Sequence, residues 1–405
     1  MLVLWWSLVE EGVFLMIRIV AAAAGVALVT VLAADLKASD RWQTLRPSPH
    51  FWTEDRLRDA EPMPLPQIDP GLVEGGQSTD LGIEEMRSSE PSEGEPGALP
   101  DEDVHDELWQ HLYEPADDDA DEALKMLDDE DPEFESMSQS PTRALYTQSR
   151  ILAPAMVMRH HPYSTIGKLF FRDPRDGSTF VCSGSVIQLG LVATAGHCVY
   201  NAEGGYFFGD FLFVPAFVRG AAPLGEWKPQ HALVTGEWVN GGDQVPNAAD
   251  VALLMMRGFH MIRLTPCTNA NDPNCLRIGN VTGWLGWQTN MVHVANVTMF
   301  GYPGNLDNGQ APQQTNAQSF QLIAPNSVLF GSGMGGGSSG GPYVLNFGRA
   351  AAGQFPEPRN RVVGIMSFGN IDDRIAGTSI LNHSFVRLFD AACRAGPTFC
   401  RTPGS

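Results

Sequence analysis

The stretch Gly335-Gly336-Gly337-Ser338-Ser339-Gly340-Gly341-Pro342 decides how this chain is read. Its serines sit where almost nothing else has a side chain. Glycine costs ordering entropy and is kept where the backbone must reach positive φ or let another backbone come close. A serine on such a turn suits a nucleophile, with free N–H groups beside it to hold an oxyanion. The same composition suits a flexible linker, so the remainder of the chain has to choose between them.

A serine hydroxyl is a weak nucleophile until a base takes its proton and an acid orients that base. Upstream, Leu191-Val192-Ala193-Thr194-Ala195-Gly196-His197-Cys198 reads as an apolar strand ending in a turn that carries a histidine. Cys198 can pair with Cys182 and tie that turn to the preceding hairpin. Asp250 precedes the apolar run Val251–Met256 and is the best-mounted acid. Its rivals are Asp243, in the loop Gly241-Gly242-Asp243, and Asp210 and Asp272 in turn-like settings.

The 405 residues carry a net charge of −21. Residues 35–150 hold 31 Asp/Glu against 9 Lys/Arg, and residues 151–405 hold 14 against 16. The acidity belongs to one segment, and no basic stripe points to nucleic acid. All six cysteines follow residue 180: Cys182, Cys198, Cys267, Cys275, Cys393 and Cys400. Their close pairwise spacing predicts three short-loop disulfides and an oxidising compartment. No metal or other cofactor is expected.

Three segments follow from composition. Residues 1–34 contain Met16, Arg18 and the apolar run Ile19–Ala34, read as a signal peptide or an uncleaved signal anchor. Residues 35–150, rich in Pro, Asp, Glu and Ser, read as an acidic low-complexity pro-segment or linker that cannot build a core. Short helices fit Asp103–Tyr113 and Ala120–Leu127. Residues 151–405 read as an all-β domain: short runs bounded by Gly, Pro, Asn and Asp recur, including Phe180–Gln188, Leu191–Ala195, Phe211–Val214, Val251–Met256, Val292–Gly301, Arg361–Phe368 and Ile375–Leu381. One late helix is expected over Ser384–Ala395.

Three blocks now stand in order: Thr194-Ala195-Gly196-His197-Cys198, Asp250-Val251-Ala252-Leu253-Leu254 and Gly337-Ser338-Ser339-Gly340-Gly341-Pro342. Together they resemble the signature blocks of trypsin-like serine peptidases. The runs Tyr163–Leu169, Cys182–Ile187, Phe213–Ala216 and Phe300–Pro303 are similar to the extracellular bacterial branch that includes glutamyl endopeptidases. The resemblance implies two packed six-stranded antiparallel β-barrels of the chymotrypsin type, which with the composition above gives an all-β fold with a C-terminal helix, preceded by a disordered acidic segment. It implies an endopeptidase acting on protein or peptide substrates, expected with the leader and cysteines above to be a secreted monomer made as a zymogen. Its catalytic residues would be His197, Asp250 and Ser339, its oxyanion donors the N–H groups of Gly337 and Ser339. Ser367-Phe368-Gly369 would bind substrate backbone as an added strand. Membrane contact would arise only through an uncleaved anchor.

The chain departs from the family's pattern in places. Ser338 stands where amine-activated members carry Asp, so an ion pair with a new N-terminus is not available, although Arg150-Ile151 reads as a processing site. Gly333 replaces the Asp of the trypsin subgroup. Met334 and Met366 replace the Thr and His of glutamyl endopeptidases. Met334, Met366 and Gly377 therefore predict a pocket for an apolar or small side chain. Two other readings compete. One is a protease-like domain kept for binding alone. The other is an α/β-hydrolase, because Gly337-Ser338-Ser339-Gly340-Gly341 fits G-x-S-x-G, with Asp372 or Asp373 and His383 following.

Overall fold

The computed structural model describes residues 40–74, 92–97 and 146–400, short internal gaps apart. The expected leader at 1–34 and the helices expected over 103–113 and 120–127 lie outside the described residues. Two short strands, β1 (Arg41–Thr44) and β2 (Glu61–Pro62), and then β3 (Tyr146–Arg150), precede the main run. The first half of that run holds β4 (Ile166–Arg172), β5 (Thr179–Gln188), β6 (Leu191–Thr194), the small hairpin β7 (Tyr200–Asn201) and β8 (Tyr206–Phe207), β9 (Gly209–Pro215), β10 (Pro229–Val234) and β11 (Ala252–Met256). The pair β12 (Phe259–His260) and β13 (Cys275–Leu276) leads into the second half. There follow β14 (Gly286–Trp287), β15 (Asn296–Gly301), β16 (Gln313–Gln318), β17 (Gln321–Ile323), β18 (Ser327–Gly331), β19 (Pro342–Leu345), β20 (Arg361–Asn370) and β21 (Ile375–Ser379). A helix over His383–Ala395 closes the order.

Two curled, mainly antiparallel sheets result. The first runs β1-β10-β11-β6-β5-β4-β9, with β2 added to β5. It curls because Phe213 in β9 and Trp227, just before β10, exchange backbone hydrogen bonds of 2.8 and 2.9 Å. The second runs β17-β18-β21-β20-β19-β15-β16-β3, with β14 added to β20. The architecture is the chymotrypsin-like one expected. The sheets hold eight and nine strands rather than six each, because the short strands β1 and β2 add to the first and β3, β14 and β17 to the second.

The strands form where the sequence can bury both faces. In β4, β5, β6 and β11 nearly every residue is buried, so an unbroken apolar run such as Ala252–Met256 suits a strand between two layers. The strand β16, Gln313–Gln318, is different. Gln313, Thr315 and Ala317 face inward while the alternate residues are more open. Its polar composition hid it from a reading based on hydrophobicity. Of the expected run Val292–Gly301, only Asn296–Gly301 is strand; Val292–Val294 forms a 3-10 turn. The helix packs through Phe385, Leu388 and Ala392, and Asn382 caps it by accepting from the Ser384 N–H (2.9 Å).

Short described stretches before residue 151 pack against the two sheets. The described residues 40–74, 92–97 and 146–400 belong to one compact unit. The described stretches of 35–150 build no core of their own. Instead Leu45, Leu65 and Ile68 are buried against the sheets, because a segment with few apolar residues can still order on a surface that others have built. Asp40 pairs with Arg387 of the C-terminal helix (2.9 Å), and Glu93 pairs with Arg361. Arg150 ends β3 with its guanidinium on Asp307 (2.6 Å), and the Ile151 N–H goes to the Pro312 carbonyl.

One buried cation gives the fold a measurable signature. Lys168 in β4 is 2% exposed and donates to the Gly309 carbonyl at 2.8 Å. Its ammonium lies over the Phe217 and Phe170 rings, 4.7 and 5.1 Å from the centroids. Burial pushes its pKa down from 10.5 to about 8. Folding thus disfavours the charged form, a penalty present below about pH 8 and relieved as pH rises towards the unfolded value. Relative to Lys168→Met, the wild-type chain should gain on the order of 2 kcal/mol between about pH 8 and pH 10. Urea denaturation at a series of pH values measures it, and parallel curves for the two proteins would rule it out.

Candidate active site

Strand register brings the histidine and the acid together. β6 and β11 pair antiparallel, with Thr194 opposite Ala252. The continuation of each strand therefore meets the other: Gly196-His197-Cys198 turns in a short 3-10 helix beside Asp250. Asp250 is fully buried and accepts three hydrogen bonds on its carboxylate. Oδ1 takes the His197 backbone N–H (2.9 Å). Oδ2 takes His197 Nδ1 (2.8 Å) and the Ser367 hydroxyl (2.6 Å). An ionised carboxylate is the form that accepts at all of these positions, so His197 carries its proton on Nδ1. Nε2 is left as the free ring nitrogen. The approach is close enough that an added Cβ at Gly196 would lie 2.8 Å from Asp250 Oδ1.

The serine loop is rigid, which removes the linker reading. Gly337 and Gly340 have φ of +90° and +83°. The Ser338 hydroxyl donates to the Gly335 carbonyl (2.6 Å), and the Gly341 N–H to the Ser338 carbonyl (2.9 Å). The Gly340 N–H and Gly341 carbonyl bond to Met366 of β20, both at 2.8 Å. A Cβ at Gly340 would sit 2.1 Å from Thr194 Oγ1 and 2.3 Å from the Ser183 carbonyl. Ser339 Oγ and His197 Nε2 are both buried, and neither has a hydrogen-bond partner among the described residues. The Gly337 N–H donates to the Met63 carbonyl at 3.0 Å.

Of the residues expected to bind substrate, Ser367 gives its hydroxyl to Asp250. Gly369 exchanges backbone hydrogen bonds with residues 66 and 68 (3.0 and 3.4 Å). Met334 and Met366 are buried in one apolar cluster. Gly377 lies against the Phe368 ring, which an added Cβ would meet at 2.2 Å. The three disulfides join Cys182 to Cys198, Cys267 to Cys275 and Cys393 to Cys400. The first, spanning 16 residues, anchors the His197 turn to β5 and contributes about 3 kcal/mol in the chain-entropy account. Its sulfurs lie near His197, but disulfide sulfur offers no thiolate to a metal.

The competing acids have other work. Asp243 accepts from the N–H groups of Ala202 and Glu203, and Asp210 pairs with Arg172 (2.8 Å). Asp272 lies outside the described residues. Asp372 and Asp373 sit in a turn closed by the Asn370 side chain, and His383 opens the C-terminal helix. With two antiparallel sheets in place of alternating strands and helices, the α/β-hydrolase assignment falls.

Two residues were missed. Trp238 backs the histidine, with ring centroids 5.9 Å apart and its indole N–H on the Tyr200 carbonyl (2.9 Å). No sequence signal marked it. Ser183 of β5 reaches across to the second sheet. Its hydroxyl donates to the Gly337 carbonyl and accepts from the Tyr302 N–H, both at 2.9 Å. Its own N–H donates to the Ser339 carbonyl (2.7 Å). Its place inside the quoted run Cys182–Ile187 was the available hint.

A model of the family described as Trypsin matches residues 158–382, more than half of the chain. The chain belongs to the trypsin family. His197, Asp250 and Ser339 lie within the matched residues. Glutamyl endopeptidase from Bacillus licheniformis is 25% identical over 163 residues, 40% of this chain and 44% of that protein. The match thus spans less than half the length of this curated relative. Among solved structures, the protease Anisep from Arthrobacter nicotinovorans is 25% identical with a TM-score of 0.45, covering 57% of this chain and 96% of that one. A Glu endopeptidase in complex with MPD is 19% identical with a TM-score of 0.44, covering 60% and 95%.

The bridging position of Ser183 leads to a stability test. Ser183→Ala would strip buried partners from Gly337 and Tyr302 at once. The expected loss is about 2–3 kcal/mol in chemical denaturation. A loss below about 0.5 kcal/mol, the level of a surface change, would show that the two sheets hold the serine loop without it.

Proposed function

We propose that this trypsin-family chain is a serine endopeptidase that works by acyl transfer through Ser339, His197 and Asp250. The observation that carries the reading is the hold on His197. Asp250 fixes Nδ1 and the backbone N–H of one residue, so the free Nε2 is the only ring nitrogen able to take a proton, and the unpartnered buried hydroxyl of Ser339 is the group to give one. Ser339 attacks a peptide carbonyl, and His197 accepts the hydroxyl proton. Asp250 stabilises the imidazolium that forms without itself taking the proton. The tetrahedral oxyanion is held by the Gly337 and Ser339 N–H groups. His197 then returns the proton to the leaving amine, and water hydrolyses the acyl-enzyme by the same steps in reverse.

Three disulfides with no free cysteine among the described residues suit an oxidising, extracytoplasmic compartment. No described helix is long and apolar enough to cross a membrane. The chain acts as a monomer on protein or peptide substrates. For the side chain preceding the cut bond, Met334, Met366 and Gly377 favour a medium apolar group over a charged one, because no charge stands among them to offset desolvation of Glu, Lys or Arg.

Wild-type chain should react with a fluorophosphonate and, once its N-terminal part is removed, hydrolyse casein, and Ser339→Ala should do neither. His197→Ala should lower kcat/KM by at least about 10³-fold, and Asp250→Asn by on the order of 10⁴-fold, with the fold retained in circular dichroism. Unchanged hydrolysis by Ser339→Ala would end the peptidase reading. A peptide library should return apolar residues before the cut. Dominance of Glu, Lys or Arg there would overturn the pocket assignment alone.

A further inference from the structure

The stretch Glu61-Pro62-Met63-Pro64-Leu65-Pro66-Gln67-Ile68 has proline at every second position from 62 to 66. Proline fixes φ near the extended polyproline value and removes an N–H. Such a segment is stiff before it binds, so it loses little entropy on docking, and it has few backbone donors to satisfy. The structure lays it across both sheets. Glu61 and Pro62 pair parallel with Phe180 and Val181 of β5, and the Met63 N–H donates to the Val181 carbonyl (2.9 Å). At the other end Gln67 bridges Gly369 of β20, again parallel. There the Gly369 N–H donates to the Pro66 carbonyl (3.0 Å), and the Ile68 N–H donates to the Gly369 carbonyl (3.4 Å).

Between those anchors the segment covers the serine loop. The Met63 carbonyl takes the Gly337 N–H (3.0 Å). A Cβ at Gly336 would lie 2.8 Å from that same oxygen, and one at Gly304 would lie 2.3 Å from Pro62 Cγ. Leu65 is 6% exposed and belongs to the apolar cluster of Met334 and Met366. Its Cδ2 lies 2.8 Å from where a Gly369 Cβ would be. Ile68 is 3% exposed, in the cluster that holds Phe368 and Ile375. The strand β1 and the Asp40–Arg387 pair fix the chain upstream, so the segment is delivered at the high effective concentration of an intramolecular ligand.

We propose that Glu61–Ile68 is a tethered inhibitor of this chain's own cleft. The Met63 carbonyl occupies an oxyanion donor, Leu65 occupies the apolar side-chain pocket, and residues 66 and 68 occupy the backbone edge at Gly369. The bond that follows the Met63 carbonyl leads to the ring nitrogen of Pro64, and the segment lies parallel to both strands it joins, β5 and β20. It holds the donors as a ligand and is not turned over. The cleft thus accepts an extended peptide that presents an aliphatic side chain of leucine size next to proline. This inference rests on the peptidase reading for its inhibitory consequence, but the docking itself can be read without activity.

The test compares the intact full-length chain with Leu65→Asp and the milder Leu65→Ala. The mass of each is checked so that clipped protein is excluded. Two readouts are taken: the rate of fluorophosphonate labelling at Ser339, and amide hydrogen exchange at Gly337 and Gly369. Leu65→Asp should label at least about tenfold faster than wild type and lose protection at both amides, with Leu65→Ala between them. Equal labelling rates and unchanged exchange in all three would overturn the docking and leave the peptidase reading standing. No labelling in any of them, with both amides freed by Leu65→Asp, would uphold the docking and overturn the peptidase reading.

Discussion

The buried carboxylate of Asp250 is the constraint around which both sheets are arranged. A carboxylate withdrawn from water costs several kcal/mol unless its lone pairs are met. Here the first sheet meets it through the backbone and ring of His197, and the second through the Ser367 hydroxyl. The Asp250 N–H also reaches the second sheet, on Ser379 Oγ (3.2 Å), and that hydroxyl donates to the Asn247 carbonyl (2.7 Å). One desolvated charge therefore couples the placement of β6, β11, β20 and β21. Moving either sheet would leave an acceptor unpaired in a dry interior, where the penalty is largest. Ser183 makes the same kind of crossing from the other side.

The parts legible in the sequence were those set by local chemistry. An apolar strand ending at His197, an acid opening an apolar strand, and a serine among glycines each have a short-range reason. The register of β6 and β11 then does the assembling. The parts that stayed hidden depend on partners distant in the chain. Gln313–Gln318 has too few apolar residues to advertise a strand, and it pairs with β15 and β3 because their edges are open to it. Residues 40–68 look coreless when read alone. Their sparse apolar side chains bury only because the sheets present surface for Leu45, Leu65 and Ile68. Trp238 was invisible for the same reason: a single large ring in a polar stretch carries no period.

Ser338 shows how one residue redirects a control problem. In its position a carboxylate could be drawn towards a new N-terminal amine, and the loop could be assembled by that ion pair. A hydroxyl has no such reach. Ser338 instead donates to the Gly335 carbonyl three residues back, so its polar group is satisfied within the loop. The Ile151 N–H is committed to the Pro312 carbonyl, and Arg150 is held by Asp307. Nothing in the loop awaits an amine.

On the proposed peptidase reading, restraint would act on access rather than on assembly. The loop Gly335–Pro342 already has its positive-φ glycines, its internal turn and its bonds to Met366 while the N-terminal part is still attached. His197 is already oriented by Asp250. If that machinery is built before any processing, filling the space where substrate would lie is the way to keep it quiet. The proline-spaced segment suits that task because stiffness lowers the entropy lost on docking. Its missing N–H groups also leave fewer donors to satisfy. The sparse apolar content of residues 40–68 is then an advantage. If detached, such a segment would have no core of its own to hold it in the shape that fits the cleft.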